Sequence, residues 1–562
     1  MSRDDRGPRR RDVLAASMAM PLAALALPGC TREREARYDG GWVGASHERG
    51  HLVRTGMPTA KSGSAPAIAA TRRVGAIVVG GGVAGLAAAR ALRAAGVDDS
   101  HVIELEDHAG GNSRGHAIAG MRCPLGAHYL PAPGEHGDEV AQLLDELGVR
   151  KTVNGRAVYD ERMLCHTPQE RLFIDGGWRD GLLPPLEALP ATERAQALAD
   201  YRAFAAAVSA AGEGDAFAMP TSRSRWSPAL AALDAVTFST WLDGRGLKSP
   251  ALRWYLDYCC RDDYGAGAAQ VSAWAGLHYF ASRHGFRPPG DDGRKRTDND
   301  DNGDALLTWP EGNAWLAGRL AAPLGGDRLH GGRVVLAVRE GRDEVAVDVW
   351  NAAEPARERW LAARVVLAVP LFVAARLLES PPPALVDAAS QLRYAPWLVA
   401  NLHLDSALDD RPGAPPSWDN VVYGSAGLGY VDAMHQGLAP YAGATVLTAY
   451  WALGGDSAAA LAAQRQRLLG DDWRTWSTRV LAELAAPHPD LAARVRRVDL
   501  MRYGHAMSVP VPGVRGSAAL QALAAPQRRV HFGHADLASY SVFEEALHHG
   551  SRAGRAAAGS PR

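Results

Sequence analysis

Lysine is nearly missing from this chain. Of its 61 basic side chains only Lys61, Lys151, Lys248 and Lys295 are lysines, so arginine carries almost all the positive charge. Cysteine is scarce too: Cys30, Cys123, Cys165, Cys259 and Cys260 have neither zinc-site spacing nor the pattern of a disulfide framework. The adjacent pair Cys259-Cys260 suits neither a bridge nor a metal and reads as reduced and buried. No excess of one charge exists. A net charge of −1 argues against a nucleic-acid or other polyanionic partner. The one long apolar stretch, ending at Leu27, is too short and too rich in alanine for a membrane span. Otherwise the 562 residues, 47% hydrophobic and 22% charged, are enough for two or more packed cores.

What is present begins at residues 74–111, VGAIVVGGGVAGLAAARALRAAGVDDSHVIELEDHAGG. The apolar run 76–79 reads as a buried parallel strand. Gly80, Gly82 and Gly85 then fit G-x-G-x-x-G. Val83 and Ala84 stand at the start of a small-residue helix expected over 84–95, with Gly96 as its stop. A second strand, expected over 101–105, carries Glu104. Each part has a physical task in holding a dinucleotide. Gly80 permits the tight turn, Gly82 lets backbone approach a pyrophosphate, and Gly85 lets helix and strand pack closely. The helix N-terminus offers free N–H groups to phosphate. Glu104 follows Gly85 at the offset of a carboxylate that holds a ribose hydroxyl; Glu106 competes, but Glu104 fits the strand end better.

Gly110, Gly111, Asn112, Ser113 and Arg114 come next. With this glycine pair after the ribose acid, the chain resembles the flavin amine oxidase superfamily, which includes amine oxidases, protoporphyrinogen oxidases and carotenoid desaturases and binds FAD. Asn112 stands where that family most often has arginine. The resemblance makes Arg114, at the family's second arginine, the candidate for the pyrophosphate. Trp309-Pro310-Glu311-Gly312-Asn313 resembles the family's Pro-Glu-Gly-Gly segment. Val335 falls where relatives set backbone against adenine, and 364–370, RVVLAVP, resembles their Val-Pro strand. At the C-terminus Gly533 matches the glycine after the last strand. Asp536 falls near the acid that meets the ribityl and pyrophosphate region. Ser541, Val542 and Phe543 open a helix whose N–H groups would face the flavin N1–O2 edge and stabilise charge there.

The resemblance also implies catalytic candidates. Residues 123–130, CPLGAHYL, match the segment that passes the flavin ring, so His128 is a candidate to point into the active site. His505, just before the last nucleotide segment, is a candidate acid or base because an ordinary imidazole titrates near neutral pH. Tyr394, Trp397, Trp418, Tyr450 and Trp451 are available as cavity walls. Three departures from the amine oxidases stand out. The strand around 398–404 has no lysine to hold a water at flavin N5. No cysteine follows Cys260, so the C-terminal cysteinyl-flavin bond is excluded and non-covalent FAD is expected. Val542 replaces the tyrosine of an aromatic amine cage.

Residues 1–30 resemble an export signal rather than fold. Arg10-Arg11-x-Val13-Leu14 resembles a twin-arginine motif, and Leu27-Pro28-Gly29-Cys30 a lipoprotein cleavage site, so a lipid tether through Cys30, plain cleavage and a retained anchor all stay open. A periplasmic location follows. The expected architecture is α/β, a Rossmann-type FAD-binding domain assembled from separated segments (71–150, 306–385 and 526–562). A mixed-sheet plus helical substrate domain is inserted between them (helical 151–305, with a polar loop at 285–304, and sheet 386–525), and 31–70 forms a tether. A calcium loop at 285–304 does not match the EF-hand pattern, and no metal is expected. The expected function is oxidation of a C–N bond in a small amine or polyamine, with hydride passing to flavin N5 and then to oxygen or another acceptor. The alternatives are a desaturase- or isomerase-like enzyme on an apolar substrate, and a flavin-binding partner protein without turnover.

Overall fold

The computed structural model describes residues 38–55, 66–166, 168–283, 285–288, 305–432, 436 and 443–559. The twin-arginine segment, Cys30 and residues 289–304 lie outside them. The described chain starts with β1 (Asp39–Trp42) and α1 (His47–Thr55), followed by β2 (Ile68–Val79), α2 (Val83–Ala94) and β3 (Ser100–Ile103). The expectation of a tether over 31–70 is therefore corrected for residues 39–55. Gly40 leaves room for β1 to lie against a neighbouring strand; a Cβ on it would fall 1.8 Å from the Val498 carbonyl oxygen.

The first sheet has β2 at its centre. It is flanked by β3 on one side and by Ala356–Leu367 on the other, both parallel to it. Ala356–Leu367 does two jobs. Its first half pairs antiparallel with Val345–Asn351, and its last three residues pair in parallel with Val530–Phe532. Burial alternates along the first half and becomes continuous toward Leu367. For that reason the apolar run at 364–370 revealed only the end of a 12-residue strand. Val335 lies in Arg333–Glu340, which Gly331-Gly332 separates from the two-residue strand Leu329–His330.

The second sheet is mixed, as expected. From its edge it runs β1, Val495–Val509, Arg393–Leu404, Thr445–Ala452, Tyr430–Asp432, Asp419–Val422, Glu170–Ile174 and Gly177–Asp180. Residues 151–305 are thus not helical throughout: hairpins and two strands precede the helices. Helices Ala191–Ala211, Pro250–Tyr264 and Ala273–Ala281 then pack around buried Phe204, Phe238, Trp274 and Phe280 to cover the sheet.

The C-terminal helix Phe543–Gly559 reaches the nucleotide sheet through small residues. A Cβ on Gly550 would lie 2.0 Å from the Ala84 carbonyl oxygen, and one on Gly554 2.4 Å from that of Ala88. Two helix faces with small residues four apart thus meet backbone to backbone. Replacing Gly550 by valine should force the helices apart at a cost of about 3 kcal/mol. The expected outcome is a lowered thermal midpoint together with loss of bound flavin; an unchanged midpoint would contradict this packing.

Candidate active site

A cleft of about 1290 Å³, open mouth included, runs along the C-terminal ends of β2 and β3. Gly80, Gly82, Val83, Ala84, Glu104, Gly110, Gly111, Asn112, Val335, Asp536 and Phe543 all line it. The three separated segments of the sequence therefore meet at one place. The glycines explain how. Gly80 has φ +99°, and a Cβ on Gly85 would sit 1.8 Å from the Gly80 carbonyl oxygen. Gly85 does not line the cleft; it lets α2 start directly on the strand. The two glycine turns lie face to face, with Gly110 N–H donating to the Gly81 carbonyl at 2.8 Å and Gly82 bridging Gly110. Gly82 caps α2 with no side-chain hydrogen bond, so the first N–H groups of the helix stay free for an anion.

Two acids hold the cleft from opposite sides. Glu104, 7% exposed, accepts from Gly81 N–H at 2.6 Å and from Glu106 N–H at 2.9 Å. Burial raises its pKa against these bonds. Asp536 is fully buried; its Oδ2 accepts from Leu371 N–H at 2.8 Å and from the Tyr394 hydroxyl at 2.6 Å. Burial opposes its charge, but His534, Tyr394 and Leu371 outweigh that and hold the carboxyl below its usual range. Asp536 Oδ1 has His534 Nδ1 3.2 Å away and keeps acceptor capacity for a ligand hydroxyl. Paired glycine turns, an uncapped helix N-terminus and a carboxylate at each side together suit a dinucleotide.

Several expectations are corrected here. Arg114 does not line the cleft. Its guanidinium donates to the carbonyls of Gly44 (2.7 Å) and Gly111 (3.0 Å) and lies 3.7 Å from Glu106, so it braces the glycine pair from behind. Gly533 also lies outside the cleft, packed against Ala553 of the C-terminal helix. His505 lines the nucleotide cleft rather than the substrate cavity, its ring 4.7 Å from Phe372 and 5.9 Å from Tyr394. Its surface is exposed, yet desolvation by the surrounding protein and the nearby Arg465 and Arg376 lower its pKa to about 4. It is neutral at physiological pH and carries no proton to donate as imidazolium.

A second cavity, about 810 Å³, adjoins the cleft where Asn112, Ala127, Ala506, Ser541, Val542 and Phe543 line both. His128 does reach it, but as an aromatic wall. It stacks on Tyr450 at 4.6 Å and touches Tyr129 and Trp418 at 5.1 and 5.4 Å. Burial lowers its pKa to about 3, so it stays neutral and is no acid or base. Trp397 and Val399 of the central strand line the cavity where a lysine was found missing. Of the other candidates, Tyr394 faces the nucleotide cleft, while Trp451 packs edge-on to Trp476. Tyr503, whose hydroxyl donates to the Leu125 carbonyl at 2.8 Å, is a wall that the sequence reading did not single out.

Charge in this cavity was also missed. Arg283, its side chain 7% exposed, pairs with Asp263 at 3.1 Å and lies 3.9 Å from Glu544. Beyond His128, Tyr129 and Tyr450 the space widens into an outer chamber that Glu170, Asp262 and Asp419 line; Asp262 lines both spaces. Desolvation raises all three carboxyls, even Glu170, whose surface is exposed; Asp180 also raises Glu170, Asp263 raises Asp262, and Asp262 and Glu170 raise Asp419. Glu170 and Asp262 reach about 7, and Asp419 goes well above its ordinary value. Asp262 makes no ion pair among the described residues. Only the fold shows that strand residues Glu170 and Asp419 face the same space.

Comparison with known proteins agrees with this geometry. Residues 83–558 match the family described as flavin containing amine oxidoreductase. Cyclohexylamine oxidase from Brevibacterium oxydans is similar in fold, with TM-score 0.60, 19% identity, and coverage of 86% of this chain and 98% of that one. Putrescine oxidase bound to putrescine gives TM-score 0.58 at 18% identity, again covering 86% and 98%. A fatty acid isomerase from P. acnes gives 0.55 at 15% identity, covering 85% and 97%. A 73-residue stretch is 32% identical to polyamine oxidase 7 of Oryza sativa subsp. japonica, spanning 13% of this chain and 15% of that protein. With the family matched across most of its length, the chain belongs to the flavin-containing amine oxidoreductases and is a flavin-dependent oxidoreductase.

Proposed function

We propose that this protein binds FAD non-covalently in the cleft and oxidises a C–N bond of a small amine, with a di- or polyamine fitting best. The supporting observation is the row of unpaired carboxyls, Asp262, Glu170 and Asp419, behind an aromatic wall that opens toward the flavin site. Glu104 would hold the ribose, the first turn of α2 the pyrophosphate, and Asp536 the ribityl side. Bound flavin supplies a hydride acceptor at N5. The chain supplies the rest. Tyr129, His128, Tyr450 and Trp397 exclude water and orient the carbon chain of the substrate. Arg283, neutralised by Asp263 and Glu544, leaves the cavity without a positive field that would repel an ammonium. Asp262, ionised about half the time at neutral pH, holds the ammonium by charge and can take its proton before oxidation. Electrons then pass to oxygen or another acceptor.

The apolar stretch formed by Trp397, Val399, Met507 and Val542 favours a second reading, a desaturase- or isomerase-like enzyme. Asp262→Asn separates the two. For an amine substrate it should cost about 2 kcal/mol, on the order of 30-fold in kcat/KM, with KM raised; turnover of an apolar substrate would be untouched. The parent's kcat/KM for a diamine should also rise with pH through about 7, because Asp262 and Glu170 are neutral below that point and bind no cation. A flat profile would sink the ionic recognition.

The four described cysteines are buried, and non-covalent attachment predicts that acid precipitation leaves the yellow colour in the supernatant. Export by the twin-arginine route, with lipid attachment at Cys30, remains our proposal for location. Cell fractionation of the parent and of Cys30→Ser, which should leave the membrane fraction, tests it.

A further inference from the structure

The segment that precedes the glycine-rich strand packs against the turn that follows Glu104. β1 pairs in parallel with Val495–Val509, the strand whose far end carries Tyr503 and His505. Arg502 of that strand lies over the Trp42 ring at 4.5 Å and meets His47 Nδ1 at 3.0 Å. The Gly44 carbonyl accepts from Arg114, which braces the glycine pair. At the start of α1, Ser46 N–H donates to both oxygens of Glu106 at 3.0 and 3.1 Å, and its hydroxyl accepts from Arg49 N–H. The Glu106 carboxylate thus sits at the positive end of the helix. Arg49 donates to Asp107 at 2.7 Å and to the Leu105 carbonyl at 3.4 Å. One turn later Val53 lines the cleft itself, alongside Glu104 and Val335.

We infer that residues 39–55 act as a clamp on the bound dinucleotide: α1 holds the turn 104–107 in place and closes the cleft at the end lined by Glu104 and Val335, so that flavin leaves only when α1 lifts. Arg49, Ser46 and Val53 are its positioning residues. None reaches the substrate cavity, so the clamp governs retention of cofactor rather than the rate of oxidation. The inference rests on the dinucleotide reading of the cleft.

The test is the rate at which the full-length holoenzyme releases flavin, read from the fluorescence of freed flavin on dilution. Arg49→Ala combined with Val53→Ala should speed release about tenfold. Arg54→Ala, on the same helix but outside these contacts, should release at the parent's rate. In the parent itself, adding FAD to apoprotein should slow amide hydrogen exchange across residues 47–55, a measurement that needs no variant to fold. Equal release by the double variant and the parent, or exchange in 47–55 indifferent to FAD, overturns the clamp. A parent that never holds flavin overturns the cofactor reading instead, and the clamp with it.

Discussion

Backbone touching backbone is the constraint on which the molecule depends. α2 can begin at the mouth of β2 only because Gly85 has no side chain where it meets the Gly80 carbonyl. The C-terminal helix can reach α2 only because Gly550 and Gly554 present none to Ala84 and Ala88. Remove either contact and Asp536 and Phe543 no longer face Glu104 across a common cleft. Ordinary side chains, each several ångströms deep, would hold these elements too far apart to grip one ligand from both sides. Close packing therefore comes before chemistry here, and glycine is the residue that permits it.

How legible this was depends on how local each signal is. The turn Gly80–Gly85 and the acid at Glu104 are encoded within one βαβ unit, so spacing alone placed them. The central strands of the second sheet announced themselves as apolar runs. Arg114 was misplaced because one of its partners, Gly44, belongs to a stretch that read as a tether. β1 is only four residues long with two glycines, and α1 has no buried residue; neither carries the periodicity by which an amphipathic element is recognised. Their order comes from what they rest against.

The substrate side was harder for a related reason. Asp262 lies on a helix, Glu170 and Asp419 on neighbouring parallel strands, and nothing in their sequence separation hints that they share a chamber. His128 and His505 looked like proton carriers because an imidazole in water titrates near neutral pH. Enclosure by protein reverses that expectation for both. The acids move in the opposite direction for the same reason, and so the ionisable groups suited to neutral pH turn out to be carboxyls.

The strand Ala356–Leu367 carries one more implication. It needs β2 from the beginning of the chain on one flank and Val530–Phe532 from its end on the other, while β1 waits for Val495–Val509. Both sheets thus join strands that are far apart in sequence. Assembly must be largely post-translational, dominated by long-range contacts and correspondingly slow. Until Val530–Phe532 is made, Ala356–Leu367 lacks its parallel partner, and until Asp536 and Phe543 follow, the cleft for the cofactor is incomplete.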